Sequence, residues 1–408
     1  MPSTVYPEKP IKVLLLENVS TTAHEVFAAE GFSVEALPRS IPAEELKQRV
    51  VGVHILGIRS KTQLTADILE AGTSLLTVGC FCIGTNQVDL AAANRQGLPV
   101  FNAPFSNTRS VAELIISEIV ALARQLGDRS REVHEGKWRK VAADCYEVRG
   151  KTLGIVGYGH IGRQLGVMAE SMGMRVAFYD HTSKLSMGNN VAMATLGELL
   201  ERADFVSLHV PETAQTKNMI GAVEIAQMKR GSYLLNASRG TVVVIEALAE
   251  ALKSGHLHGA AIAVYPEEPE SNVDTFRSAL QGLPNVILTP HIGGSTSEAQ
   301  AAIGREVSHA LTHFLNSGAT TGVVNFPVVE MPKAPGSHRI LNVHRNVPGV
   351  LRDINKIVSD LHANIQGQVL ATDQTIGYLT IDMDRDVSQQ VASAIAALDT
   401  NIRTRILY

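Results

Sequence analysis

Cysteine is scarce in this chain, three in 408 residues, and aromatic residues make up only 5%, with a single tryptophan. Cys80, Cys82 and Cys145 are too few, and the Cys-x-Cys spacing is unsuited, for a zinc site or a disulfide framework, so no metal is expected. They read as small buried hydrophobes, with a redox role for the 80/82 pair as the alternative. Charge of one sign is also lacking. The net charge is −4 with no block of like charge, which leaves no basic stripe to follow a phosphate backbone and excludes nucleic acid as a partner. No apolar run is long enough to cross a bilayer, and Met1 to Pro10 has no apolar signal core, so the expectation is a cytoplasmic protein without a membrane partner. What is present, 45% hydrophobic and 19% charged residues, is the composition of a globular protein with length for two or three domains.

Short apolar runs alternate with helical patterns from residue 11: strands are expected at Lys12 to Glu17, Phe32 to Leu37, Val53 to Ile58, Leu75 to Val78 and Leu98 to Phe101. A helix from about Arg109 to Leu126 leads to a second series at Thr152 to Gly157, Arg175 to Tyr179, Phe205 to His209, Tyr233 to Asn236, Gly259 to Val264 and Val286 to Thr289. Both series predict α/β, doubly wound parallel-sheet domains, the second a complete Rossmann-type dinucleotide fold. Ser297 to Ser317 carries helical spacing and is expected to return to the first region. Pro327, Pro332 and Pro335 mark a linker, after which strand, helix, strand, strand, helix, strand gives a ferredoxin-like βαββαβ unit. The expected domains are 1–105 with 296–330 (substrate), 106–295 (dinucleotide) and 336–408 (C-terminal).

Gly157-Tyr-Gly-His-Ile-Gly162 follows a strand and opens a helix, the context that turns a weak glycine motif into a pyrophosphate site. Gly157 allows the turn, Gly159 the approach of the pyrophosphate, Gly162 the contact of helix and strand. Asp180 ends the next strand, where a carboxylate accepts from ribose hydroxyls and repels a 2′-phosphate. His181, Thr182 and Ser183 supply no arginine, which favours NAD over NADP. Downstream, Arg239, Glu268 and His291 each follow a strand. A guanidinium can hold a carboxylate in two places, and a carboxylate on one imidazole nitrogen fixes the tautomer so that the other nitrogen moves a proton. These are the parts that oxidation of a 2-hydroxy acid requires. A lone histidine is more often structural, but three suitable residues at strand ends of one nucleotide fold point to a site.

At these residues the chain resembles the D-isomer-specific 2-hydroxyacid dehydrogenases, and within them members with a C-terminal ACT domain. The carrying motifs are Gly-Tyr-Gly-His-Ile-Gly at 157, Asn-Ala-Ser-Arg-Gly-Thr-Val-Val at 236, Pro-Glu-Glu-Pro at 266 and Thr-Pro-His-Ile-Gly-Gly-Ser-Thr at 289, with supporting stretches at 79, 102 and 324. The resemblance implies that Arg239 binds substrate, His291 is the acid/base and Glu268 its partner. It implies NAD held by Gly157, Gly159, His160, Ile161, Gly162, Asp180, Ala237, Ser238, Arg239, Ala263, His291, Ile292, Gly293 and Gly294. The implied substrate is 3-phosphoglycerate, oxidised to 3-phosphohydroxypyruvate in serine synthesis. Arg59, Ser60, Ile83 and Asn107 lie at substrate-side turns, and Lys140, near Trp138, is expected to reach a neighbouring subunit's site in a homo-oligomer, a tetramer.

Two positions depart from the family pattern: Ala263 stands where an aspartate meets the nicotinamide amide, and Val244 where relatives often carry aspartate. The first suggests weaker NAD binding and a bias toward reducing the keto acid. In the C-terminal unit the loop His344-Arg-Asn-Val-Pro-Gly349 resembles that of ACT domains that bind amino acids. This implies L-serine as effector, held by His344, Asn346 and, from a paired subunit, Asn364, with Arg345 in place of the usual glutamate. Other readings stay open: a 2-hydroxyglutarate or glycerate dehydrogenase, and a nucleotide-sensing corepressor on the same fold.

Overall fold

The computed structural model describes residues 10–269, 275–332, 336–384 and 387–407, and counts of elements are of those residues. Two compact units are formed, one of residues up to 106 together with those from 300 onward, the other of residues 107–299. In the first, β1 (Lys12–Leu15), β2 (Ser33–Ala36), β3 (Ile55–Ile58), β4 (Thr77–Cys80) and β5 (Val100–Asn102) make a parallel sheet in the order β2-β1-β3-β4-β5. β3 and β4 are buried at every position, as parallel strands covered on both faces are. β4 begins two residues later than its apolar run suggested, because the pairing register extends through Gly79 and Cys80. The helix Ser297–Ser317 returns to this sheet as expected, and its Val307 and Leu311 share a core with Val13, Leu15 and Phe101.

The second unit holds β6 (Thr152–Val156), β7 (Arg175–Tyr179), β8 (Val191–Ala192), β9 (Phe205–Leu208), β10 (Ser232–Asn236), β11 (Leu257–Ile262) and β12 (Val286–Leu288). All pair in parallel, in the order β12-β11-β10-β9-β6-β7-β8. β6 lies between β7 and β9, so the winding reverses beside it, at the switch point where open α/β sheets take ligands. The seventh strand, β8, is two exposed residues at the sheet edge, too short to stand out as a strand in the sequence. The expected helix from Arg109 to Leu126 is two helices, Thr108–Ala123 and Leu126–His134. Gln125, in the left-handed region at φ 50°, breaks them, and the second buries no side chain that a periodicity could reveal.

Val244 acquires a physical meaning here. It is the N-cap of the helix Ile245–Lys253 and offers no side-chain acceptor to the free N–H groups of the first turn. An aspartate at this position accepts such a bond, so Val244→Asp is expected to stabilise the unit by about 1 kcal/mol. The check is the denaturation midpoint, and a midpoint that stays put or falls would refute the assignment.

The remainder of the first unit is the antiparallel sheet of β13 (His338–Arg345), β14 (Ile365–Thr372), β15 (Ile376–Met383) and β16 (Asn401–Leu407), in the ferredoxin-like order β14-β15-β13-β16. Helices Val350–Asp360 and Ser388–Ala396 cover one face through Ile354, Val358, Val391 and Ile395. The other face is not left to water. Its Leu341, Val343, Tyr378 and Leu407 share a core with Phe101, Phe314, Phe326 and Val329. The Tyr378 hydroxyl donates to Gly318 O at 2.6 Å, and the Arg405 guanidinium lies 4.9 Å from the centre of the Phe314 ring. Buried beneath this sheet, Arg339 forks onto Asp382 at 2.6 and 2.7 Å and donates to the carbonyls of Ser317 and Met331 at 2.9 and 2.8 Å.

Candidate active site

Each glycine of the loop after β6 has a distinct geometric reason. Gly157 sits at φ 92°, and a Cβ there would lie 2.3 Å from His209 O. A Cβ on Gly162 would lie 2.4 Å from Gly157 O, so only a bare Cα lets the helix His160–Ser171 start this close to β6. Gly159, by contrast, has no atom within 4 Å of its Cβ position, which is open space at the helix N-terminus, the place an anionic pyrophosphate needs. His160 and Ile161 open that helix.

Asp180, after β7, accepts from Tyr158 N at 2.9 Å and from both N and Oγ1 of Thr182 at 3.0 Å. Burial alone would raise its pKa, but these hydrogen bonds outweigh burial and hold the carboxyl below its ordinary range. It is therefore an ionised acceptor, with lone pairs left for a diol. The loop and Asp180 together fit a dinucleotide whose ribose carries no phosphate.

The turn after β10 is shaped by a residue not singled out in the sequence. Asn236 is 1% exposed. Its Oδ1 accepts from Ser238 N at 3.0 Å and Ser238 Oγ at 2.8 Å, and its Nδ2 donates to Arg239 O at 3.0 Å. The polar end of an otherwise apolar strand, Tyr233-Leu-Leu-Asn236, was the available signal. Ala237 and Ser238 complete the turn, and Gly240 lets it press on the backbone of Tyr265, where a Cβ would come within 1.9 Å.

That same Tyr265 donates its N–H to Glu268 Oε1 at 3.2 Å. The second carboxylate oxygen meets His291 Nδ1 at 2.9 Å. Burial pushes Glu268 up, and the His291 hydrogen bond, with help from the Arg239 charge, brings it below its ordinary range, so the carboxylate stays ionised at neutral pH. His291 sits at φ 50°, a conformation rarely adopted outside glycine and held here by its N–H donating to Ala263 O at 2.8 Å and Thr289 O at 3.1 Å. With Nδ1 engaged, Nε2 has no partner among the described residues, and the side chain is about half exposed. Ile292, Gly293 and Gly294 follow it, Gly294 close against Asn107, whose Oδ1 is buried without a hydrogen-bond partner among the described residues.

Ala263 lies between the two functional turns. Its N–H donates to Asn236 O at 2.9 Å, its carbonyl accepts from His291, and its side chain is 2% exposed.

In the first unit the Arg59–Ser60 turn is built on Glu17, also unforeseen. This carboxylate, 7% exposed, accepts from the N–H groups of Arg59, Lys61 and Thr62 at 3.2, 2.9 and 2.8 Å. Ile83 O accepts from Asn102 Nδ2 at 2.6 Å, which fixes the turn after β4. Lys140 is exposed, in the segment that follows the helix Leu126–His134.

His344 and Asn346 lie at one end of the C-terminal sheet. His344, 3% exposed, meets Asn342 Oδ1 through Nδ1 at 2.9 Å, and burial lowers its pKa, so the ring is neutral. Asn346 donates to Asp373 O at 2.6 Å. Asn364 is not brought to them. His344 pairs with Gly377 at one end of β15, whereas Ile365, next to Asn364, pairs with Met383 at the other, a strand length of about 20 Å away. A site using all three needs two copies of the sheet.

Compared with known proteins, residues 116–293 match the model of the D-isomer specific 2-hydroxyacid dehydrogenase NAD binding domain, and residues 340–403 that of the AHAS small subunit-like ACT domain. The chain is 54% identical to D-3-phosphoglycerate dehydrogenase of Dictyostelium discoideum over the full length of both. It is 51% identical to D-3-phosphoglycerate dehydrogenase of Escherichia coli K12, over 98% of each chain. Among solved structures, the TT0316 protein from Thermus thermophilus superposes with a TM-score of 0.70 at 31% identity, covering 77% of this chain and all of that one. D-lactate dehydrogenase from Aquifex aeolicus, complexed with NAD and lactic acid, gives 0.67 at 26% identity over 77% and 99%.

Proposed function

The chain belongs to the D-isomer specific 2-hydroxyacid dehydrogenases, in the D-3-phosphoglycerate dehydrogenase branch, and from that premise we propose that it oxidises 3-phosphoglycerate to 3-phosphohydroxypyruvate with NAD, the first step of serine synthesis. The observation that carries the reading is the 2.9 Å contact of His291 with Glu268 beside the Arg239 turn, in an NAD-binding unit. Bound NAD supplies the hydride acceptor. Arg239 holds the substrate carboxylate, and His291 Nε2 takes the hydroxyl proton. Glu268 fixes the imidazole tautomer and stabilises the cation that forms. Arg59, Ser60, Ile83 and Asn107 contribute further substrate contacts, and Asp180 accepts from the adenosine ribose.

The C-terminal ACT module is the feedback element, with L-serine as effector on His344, Asn346 and a second copy's Asn364. The protein works as a homotetramer in the cytoplasm. Exposed Leu126, Val133, Trp138 and Val141, clustered in one stretch beside Lys140, support a covered surface there. Comparison of 3-phosphohydroxypyruvate, hydroxypyruvate and 2-oxoglutarate as NADH-consuming substrates, with and without serine, tests the whole reading. The phosphorylated acid should have the highest kcat/KM and serine should suppress it; a preference for 2-oxoglutarate or indifference to serine would refute the corresponding part.

Ala263 adds an expectation about cofactor and direction. A carboxylate at this position favours the cationic, oxidised nicotinamide, and its loss favours the reduced form. Ala263→Asp is therefore expected to tighten NAD by about tenfold, the worth of one charge-assisted hydrogen bond, and to leave NADH less affected. Equal dissociation constants for NAD in the two proteins would rule this out.

A further inference from the structure

A cavity of about 440 Å³ opens in the second unit at the edge of the sheet where strands begin. Lys151 precedes β6, Asp204 precedes β9, Arg230 precedes β10 and Gly255 lies just ahead of β11. The nucleotide loop, Arg239, Glu268 and His291 all follow strand ends. In a parallel sheet these are opposite edges, a strand length of about 15 Å apart, so the cavity is not part of the site described above.

Its lining is aromatic and carries positive charge without a counter-ion. Tyr233 is stacked on Phe205, with ring centres 4.5 Å apart and planes at 8°, and is only 3% exposed. Its hydroxyl nevertheless has no hydrogen-bond partner among the described residues. A phenylalanine would fill the same stack without burying an unpaired donor, a defect that cores avoid. The Lys151 ammonium lies over the Tyr146 ring, 4.8 Å from its centre, and neither Lys151 nor Arg230 makes an ion pair among the described residues. The acidic group of the lining is already engaged: Asp204 accepts from Thr152 N at 2.8 Å and pairs with Lys229 at 2.6 Å. His258 reaches Asp144 at 3.5 Å. What is left over is two cations, Lys151 and Arg230, beside the Tyr233 and Tyr146 rings, lining a space of the size that small-molecule sites have.

We propose that this cavity binds a phosphate group, free or as a small phosphate monoester, with its oxygens on Lys151 and Arg230. Two cations match the double negative charge, and a guanidinium beside an ammonium is suited to phosphate oxygens.

Hydrogen–deuterium exchange of the full-length protein, with inorganic phosphate and separately with glycerol 2-phosphate, tests this and separates the two sources. Millimolar probe should protect the backbone around residues 144–153 and 228–234, and the probe that protects identifies the occupant. The combined Lys151→Ala and Arg230→Ala variant should need at least about tenfold more probe, while its turnover stays unchanged. Protection confined to the nucleotide loop and the turns at Arg239 and His291, protection unaffected by the paired substitution, or none with either probe would overturn the proposal.

Discussion

His291→Asn is expected to lower kcat by about 10²- to 10⁴-fold with little change in KM, since asparagine keeps a polar group in the turn but cannot take a proton at the Nε2 position. The left-handed conformation at φ 50° argues for asparagine over alanine as the probe, because asparagine tolerates that region and the turn should survive. Glu268→Gln should reduce kcat in the same direction but less, by removing the charge that stabilises the imidazolium. The sign of the pH effect follows from the carboxyl's depressed pKa. Glu268 is ionised from neutral pH upward, and its contribution is lost only as pH falls through that depressed value, so an acid-side loss belongs to the wild type and not to the glutamine variant. Near-normal kcat in the asparagine enzyme would show the imidazole to be structural.

Arg339→Met should be the most destabilising single change in the first unit, by about 3–5 kcal/mol, because it strands a buried carboxylate. Asp382 is 1% exposed, and Arg339 is its only ion-pair partner among the described residues. Adding Asp382→Leu should recover part of the loss by removing the orphaned charge. Recovery will be incomplete, since the carbonyls of Ser317 and Met331 still lack their donor. Chemical denaturation of the two single variants and the double variant measures this, and strictly additive losses would mean that the pair is not coupled.

The legible parts of the molecule are those fixed by local periodicity. The strand Arg175–Tyr179 and the helix Ser297–Ser317 have the bounds their patterns gave, because each presents one apolar pattern to one core. The glycine loop was readable because each glycine answers a steric demand within its own strand–turn–helix unit. What escaped depends on partners distant in sequence. Arg339 looks like a polar residue at the start of a strand, and its burial follows only from the second face of its sheet being covered. Glu17 shows no sign of organising a turn 42 residues away. Asn236 and Tyr265 bring Arg239, Glu268 and His291 into register, yet neither carries chemistry of its own. The capping defect at Val244 became visible only when the helix start was located.

The most direct test of the proposed activity is the rate of NADH oxidation with 3-phosphohydroxypyruvate by the wild-type enzyme and by an Arg239→Ala variant. Turnover of at least about 1 per second is expected for the wild type, with a loss of about 10²-fold or more in kcat/KM for the variant, as removal of a charged anchor for the carboxylate requires. Absence of wild-type turnover with this substrate, or equal kcat/KM in the two proteins, would contradict it.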